Sequence, residues 1–318
     1  MPLRTPSFWF QKRGILSTLF TPVSWLYQIG HIIHQNVSGT TYQSSLPVIC
    51  VGNAIAGGSG KTPTVIALAE ILKARNPVAL TRGYGGNITT ATLVDPEKHL
   101  SQDVGDEALL LSRHLPVIVA PDRAEGAKLA EKEKFDLIIM DDGLQNNTLK
   151  KTLTLLVIDR QLDFGNAKMI PAGPLREPLA KILQKSDAVI CIGRPLQSDL
   201  PVFEASIQPQ GNLDISKNYI AFAGLGIPDK FKNTLLDLQA NLVGWHAFAD
   251  HHPYTQADLQ KLKEEADSKE AILITTEKDY ARLPKDLAKT ITTLPIKLAF
   301  SAPQALAEFI ENKIKSGS

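Results

Sequence analysis

The chain is poor in cysteine: among 318 residues only Cys50 and Cys191 occur, each inside an apolar run, "PVICVG" and "AVICIG". Two isolated, buried-looking thiols leave no material for a disulfide framework or a thiolate zinc site, and they point to a reducing compartment. An excess of charge of one sign is also missing, since 34 Lys and Arg face 33 Asp and Glu for a net charge of +1. That balance gives no global electrostatic case for nucleic acid as a partner. Low-complexity tracts and internal repeats are absent, and a charged fraction of 21% is ordinary for a folded globular chain.

The first forty residues lack charge of either sign after Lys12 and Arg13. Leu16, Leu19, Phe20, Val23, Leu26, Tyr27 and Ile33 recur there at helical spacing, with Ser17, Thr18, Ser24 and Gln28 among them and Pro22 interrupting. The run is too mixed for a spanning helix, which needs ~20 predominantly apolar residues. It is too broken for a signal peptide, and no small-residue cleavage site stands out. Two readings stay open: an amphipathic helix lying on a membrane, with Trp9 and Trp25 at headgroup depth and basic residues nearby, or a helix packed on the protein's own core.

From residue 46 the chain alternates short β-branched runs with helical patterns. The strand candidates are "LPVICVG" (46–52), "PVAL" (77–80), "PVIVA" (116–120), "FDLIIM" (135–140), "LTLLVI" (153–158) and "DAVICI" (187–192). Near-continuous apolar strands alternating with helices predict an α/β fold, a parallel sheet covered on both faces. A polar, Pro-containing stretch at 194–218 interrupts the rhythm and contains "VFEASIQ", a short strand or hairpin arm. Alternation resumes with "NYIAFAGLG" (218–226), "AILITTEKD" (271–279) and "LPIKLAF" (294–300). The expected organisation is an N-terminal helical region (1–40), a larger domain (41–200) and a smaller α/β domain with a linker (201–318), with a cleft between the two domains.

The chemistry concentrates in "VGNAIAGGSGKTPTVIALAEIL" (51–72), an apolar strand, a Gly-rich turn and a helix. This is the setting of a phosphate-binding loop, G-x-x-x-x-G-K-[ST]. Gly60, Lys61 and Thr62 match its second half, but Ile55 stands where the first glycine belongs. Gly57, Gly58 and Gly60 let the backbone around Ser59 curl so that its N–H groups converge on phosphate oxygens. Lys61 reaches the terminal phosphates in this reading, Thr62 ligates Mg²⁺, and Pro63 is tolerated in a first helical turn. "FDLIIMDDGLQ" ends a hydrophobic strand in Asp141 and Asp142, carboxylates suited to holding that metal. Other polar clusters also fall at the C-terminal ends of predicted strands, the rim where parallel sheets bind ligands: "TRGYGG" with Arg82, "PDR" with Arg123, and "DRQLDFG". Asp106 and Glu107 in "VGDEALLL" open a helix, and "FADHHPYT" places a carboxylate and two imidazoles before a helix that Thr255 would cap. "TTEKD" is not N-K-x-D, which speaks against a GTPase.

The seven motifs "VGNAIAGGSGKTP", "TRGYGG", "VGDEALLL", "PDR", "DDGLQ", "PAGPLREP" and "FADHHPY", in that order, resemble the tetraacyldisaccharide 4'-kinase family of lipid A biosynthesis over nearly the whole chain. The displaced glycines of the loop are themselves a trait of that family. The resemblance implies a P-loop NTPase-like kinase that uses ATP and Mg²⁺ to phosphorylate the 4'-hydroxyl of an acylated disaccharide 1-phosphate. It also implies two domains joined by a small β linker, and an N-terminal helix on the cytoplasmic face of the inner membrane, with no protein partner. By the same resemblance Asp106 is the candidate base, assisted by a histidine of "DHH", His251 ahead of His252. Lys61 and Thr62 keep their phosphate and metal roles, and Asp141 and Asp142 act at the metal. Arg123 and Arg176 contact substrate or phosphate, with Glu177 and Gln145 in the same site. The rival expectation is another membrane-associated P-loop NTPase or a nucleotide-dependent switch.

Overall fold

The computed structural model describes residues 6–11, 14–36, 41–284 and 288–317. Lys12 and Arg13, the basic pair expected beside the N-terminal helix, lie outside the described residues, as does the side chain of Ile33. In chain order the strands begin with β1 (Val48–Asn53), β2 (Pro77–Thr81), β3 (Thr92–Leu93) and β4 (Val117–Val119). β5 (Leu137–Asp141), β6 (Leu153–Asp159), β7 (Ala188–Ile192) and β8 (Val202–Pro209) follow. The last are β9 (Asn218–Ala223), β10 (Asn241–Ala247), β11 (Ala271–Thr276), β12 (Thr292–Leu294) and β13 (Ile296–Phe300). The helices are α1 (Ile15–Leu19), α2 (Thr21–Asn36), α3 (Lys61–Ile71), α4 (Ser101–Val104), α5 (Asp106–Leu111) and α6 (Arg123–Lys132). They continue with α7 (Leu179–Gln184), α8 (Asp229–Asp237), α9 (Gln256–Ser268), α10 (Glu277–Tyr280) and α11 (Pro303–Gly317).

Two compact units result: Pro6–Ile207 with the stretch from Leu298 onward, and Gln208–Lys297. The larger unit is built on a nine-stranded sheet in the order β13-β8-β7-β6-β1-β5-β2-β4-β3. From β8 to β4 every neighbour is parallel, and β3 runs antiparallel to β4. The chain moves to one side of β1 through β2 and β4, returns to β5 beside β1, and continues on the other side with β6. Such a reversal opens a crevice beyond the C-terminal strand ends, and the loops that follow β1 and β5 are placed there.

The two-residue period of the strands distributes the core. Ile49 and Val51 pack on one face with Val65 and Leu68 of α3 and Leu111 of α5, whereas Val48 and Cys50 pack on the other with Ala127 and Ala130 of α6. Helices therefore cover both faces, as the continuous apolar strands require.

Of the two readings open for "VFEASIQ" the strand holds: it is β8, a parallel neighbour of β7. One expectation is corrected in this unit. The C-terminal stretch, expected with the smaller domain, contributes β13 to the edge of the larger sheet, and Leu306, Ile310 and Ile314 of α11 bury into its core. Arg75 pairs with Glu311, and Lys313 reaches Asp187 at 2.9 Å. The physical reason is that an amphipathic helix needs an apolar partner, and position along the chain does not say which sheet supplies it.

The smaller unit has its own parallel sheet, β10-β9-β11-β12. Ile220 and Phe222 face Leu259 and Leu262 of α9, while Tyr219, Ala221 and Ala223 face Phe231 and Leu235 of α8. β10 and β12 were not anticipated: β10 is only partly buried along its length, which blurs the apolar signal, and β12 is three residues long.

At the N-terminus the usual burial is inverted. Ser17 and Ser24 are buried, while Ile15, Leu16, Leu19, Val23, Trp25 and Leu26 are exposed. The Ser17 hydroxyl donates to the Ala172 carbonyl and the Ser24 hydroxyl to the Met169 carbonyl, both at 2.9 Å. Trp9, expected at headgroup depth, instead donates its indole N–H to the Pro171 carbonyl at 2.9 Å. The helices thus dock through their serines, and among the described residues no helix is long and apolar enough to cross a membrane.

Because Ile310 is fully buried against the larger sheet, Ile310→Ala is expected to cost about 2–5 kcal/mol of stability. Denaturant unfolding followed by hydrogen exchange should place that loss in strands β1 and β5–β8; a loss confined to β9–β12 would contradict the assignment of α11.

Candidate active site

The phosphate-loop candidate begins where β1 ends. Asn53 is fully buried there, and its carboxamide N–H groups donate to the Ile55 carbonyl and the Ser59 hydroxyl, both at 2.6 Å. Its oxygen accepts from the Lys61 ammonium at 3.0 Å. Ile55, the residue in place of a glycine, is buried with Leu144, Leu156 and Leu175. The loop is paired along this stretch to "PAGPLREP": Ile55 bridges Leu175, the Ala56 N–H donates to Pro174 (2.8 Å), and the Arg176 N–H donates to Ala54 (3.2 Å). The first half of the loop therefore needs an apolar anchor, and the tight curl comes later, at Gly60. Gly60 has φ +84° and precedes α3 without any side-chain cap. A side chain there would be strained in the left-handed region and would collide with Ile192. The uncapped N–H groups of α3, with the positive end of its dipole, form a seat for phosphate.

The strap carrying Arg176 also reaches the end of β5. Arg176 Nη1 donates to both oxygens of Asp142 at 3.1 Å, and Lys61 Nζ lies 3.5 Å from Asp142 Oδ1. Burial alone would raise the Asp142 pKa, but the charges of Lys61 and Arg176 outweigh it and hold the group at about 2. Asp141 is the opposite case. It is fully buried, and neither carboxylate oxygen accepts a hydrogen bond. Burial raises its pKa, the charge of Glu107 raises it further, and Lys61 and Arg123 only partly offset them.

Arg123 is no surface ion pair. It starts α6 in a buried position, donating to the Ala120 carbonyl at 2.8 Å and to the Asp141 carbonyl at 3.4 Å. Burial lowers its pKa to about 10, against the pull of Asp141 and Asp142. Gln145 has a buried amide nitrogen without a hydrogen-bond partner. Glu177 is fully buried, 2.7 Å from Lys185 Nζ and 3.7 Å from Lys181 Nζ, so in this structure it anchors the strap.

"TRGYGG" and "VGDE" form one backbone unit. The N–H groups of Asn87 and Ile88 donate to the Asp103 carbonyl at 3.0 and 3.1 Å. Gly105 (φ +87°) lies so close to the Tyr84 carbonyl that a Cβ could not fit. This packing sets Asp106 at the first position of α5, with Glu107 next to it influencing Asp141.

His251 and Asp106 belong to different units. Within the smaller unit His251 adopts φ +56°, its N–H donates to the Gly224 carbonyl at 3.3 Å, and its Nε2 lies 3.8 Å from Asp250 Oδ1. His252 is committed elsewhere: its ring stacks on Phe248 at 4.7 Å and its Nε2 sits 3.1 Å from Asp258 Oδ2. Thr255 caps α9 as anticipated, accepting from the Asp258 N–H.

A Gly-rich loop at the switch point of a parallel sheet, opening a helix and holding a lysine beside a strand-end carboxylate pair, defines the class of P-loop nucleotide-binding phosphotransferases. The family model described as Tetraacyldisaccharide-1-P 4'-kinase matches residues 16–315. The chain belongs to this family. A tetraacyldisaccharide 4'-kinase from a Bradyrhizobium species is 40% identical over 99% of this chain and 96% of its own length. One from Paramagnetospirillum magneticum is 40% identical over 97% of this chain and 98% of its own. Among solved structures, an "apo" form LpxK from Aquifex aeolicus in complex with ATP superimposes with a TM-score of 0.77. It is 26% identical, and the match covers 94% of this chain and 99% of that one.

Sequence reasoning passed over Asn53 entirely and gave Glu107 only a first-turn role. The signal for Asn53 was a polar residue closing an otherwise apolar strand just before the loop. Lys61→Ala is expected to cost roughly 3 kcal/mol or more of transition-state stabilisation. Asn53→Ala, which releases both loop and lysine, should lower kcat at least about tenfold with the fold intact. Steady-state kinetics with circular dichroism checks both, and near wild-type turnover in either variant would defeat the loop assignment.

Proposed function

We propose that the chain transfers the γ-phosphoryl group of ATP to the 4'-hydroxyl of a tetraacyldisaccharide 1-phosphate, a lipid A precursor. The observation that carries this reading is Lys61, held by Asn53 at the uncapped start of α3 and facing the Asp141–Asp142 pair. The loop N–H groups and Lys61 bind and neutralise the phosphates, and Arg176 and Arg123 add positive charge near the transferred group. Asp106 takes the hydroxyl proton as the 4'-oxygen bonds to the γ-phosphorus and the bond from that phosphorus to the β,γ-bridging oxygen breaks, releasing ADP. His251 supports Asp106, the role we assign to it because His252 is engaged by Asp258 and Phe248.

Mg²⁺ fits this donor set. A buried carboxylate whose two oxygens accept no hydrogen bonds, as in Asp141, is costly unless a cation satisfies it. Thr62 and Asp142 complete the proposed ligands, with Glu107 adding negative charge nearby. The ion, when bound, neutralises charge on the phosphate oxygens.

Phosphorus transfer from γ-labelled ATP to the purified disaccharide in mixed micelles tests the reading. We expect a 4'-phosphorylated product, and a loss of about 10²- to 10⁴-fold in kcat for Asp106→Ala with ATP binding retained. ATP hydrolysis at the same rate with and without acceptor would instead indicate a nucleotide-dependent switch.

The enzyme is further proposed to sit peripherally on the cytoplasmic face of the inner membrane, where ATP and an acylated headgroup meet. The outward apolar face of α1 and α2 supports this, with Ile15 at 88%, Leu19 at 69% and Leu26 at 69% exposure. Replacing Leu19 and Leu26 by serine should lower the fraction sedimenting with phosphatidylethanolamine–phosphatidylglycerol vesicles severalfold, and unchanged partitioning would remove the proposal.

A further inference from the structure

The smaller unit contains a buried charge pair on and just after α10. The side chain of Asp279 is fully buried and that of Arg282 is 5% exposed, with 2.6 Å between them. Both cores of this unit are apolar, and charges removed from water are retained at a cost unless their whole hydrogen-bonding capacity is used. Here it is shared between α10 itself, where Arg282 Nε donates to the Lys278 carbonyl at 3.3 Å, and the segments next to His251. Asp279 Oδ1 accepts from the Gly224 N–H (3.0 Å), the Tyr254 hydroxyl (2.9 Å) and Arg282, and its Oδ2 accepts from the Thr276 hydroxyl at 2.6 Å. Arg282 donates onward to the Gly224 carbonyl at 3.0 Å and to the His252 carbonyl at 3.5 Å.

Two of these partners adjoin His251: Gly224 by a hydrogen bond and His252 as its neighbour in the chain. The Gly224 carbonyl that Arg282 grips is the same one that accepts the His251 N–H at 3.3 Å. Tyr254 and the His252 carbonyl hold the chain on the other side. His251 itself is in the left-handed region at φ +56°, a conformation that a non-glycine residue keeps only where its surroundings impose it. Neither Asp279 nor Arg282 is exposed enough to meet a substrate.

We propose that Asp279 and Arg282 are positioning residues for phosphoryl transfer: together they impose the backbone conformation from which His251 acts. The proposal rests on the role given to His251 above. Asp279→Asn removes the charge that Arg282 balances, Arg282→Lys loses the fork that spans two carbonyls, and Tyr254→Phe removes one hydrogen bond while keeping the ring.

The test is a kinetic cycle on the full-length enzyme, with each substitution made in the wild type and in His251→Ala, and with ATP affinity measured as a check on integrity. Asp279→Asn is expected to lower kcat about 10- to 100-fold in the wild type while leaving the KM for ATP unchanged. In the His251→Ala background the same substitution should change kcat by less than about twofold. Tyr254→Phe should show the same pattern at smaller amplitude, and it carries the test if Asp279→Asn does not fold. Equal losses in both backgrounds would overturn the proposal in favour of a purely structural pair, and so would full activity in a folded Asp279→Asn enzyme. Full activity in His251→Ala alone would sink the histidine's role and this inference with it, an outcome distinguishable from the other two.

Discussion

The carboxamide of Asn53, buried at the end of β1, spends its donors on the loop that follows and its acceptor on the lysine that the loop delivers. A Gly-rich segment is entropically expensive to order, and three hydrogen bonds from one rigid side chain tie its two ends to the sheet. Lys61, so held, lies beside Asp142, and Asp142 in turn holds Arg176. If that amide is removed, the lysine, the loop and the strap lose their common reference point. The site is a polar network in a low-dielectric setting, where satisfied members reinforce one another and unsatisfied ones are costly.

The strap of residues 166–176 links two functions within the larger unit. At one end it pairs with the loop through Ala54, Ala56 and Leu175. At the other its carbonyls receive Ser17, Ser24 and Trp9 of the N-terminal region. Asn166 adds to this end, donating to the Ser17 hydroxyl at 3.0 Å and to the Ala172 carbonyl at 2.9 Å. The serines that interrupt the apolar pattern are therefore the docking contacts, and the apolar residues are the ones left outside.

Much of the fold was legible because its signals are local. Near-continuous apolar strands, a Gly-rich turn and a helix start at Asp106 each announce themselves within a dozen residues. The identity of the neighbouring strand does not. β8 was ambiguous because an edge-proximal strand with alternating exposure reads like a hairpin arm, and α11 was misplaced because its apolar face would suit either sheet. In the site, Arg123 read as a possible surface charge since nothing in "PDR" reveals that the helix it starts turns it inward. Adjacent histidines point in different directions, which local sequence does not resolve; in the structure His252 meets Phe248 and Asp258, and His251 lies beside Asp250.

The sequence by itself determined the phosphate loop, the strand-end carboxylates, the alternating α/β order and, through seven ordered motifs, the family. These depend on residues close together in the chain, whose spacing is set by helix and strand geometry. Only the tertiary structure decided why Ile55 can replace a glycine, which carboxylate Arg176 grips, which face of the N-terminal helices is outward, and where the last twenty residues return. Each of those depends on pairing between segments far apart in the chain, and such register is set by packing rather than by any local period.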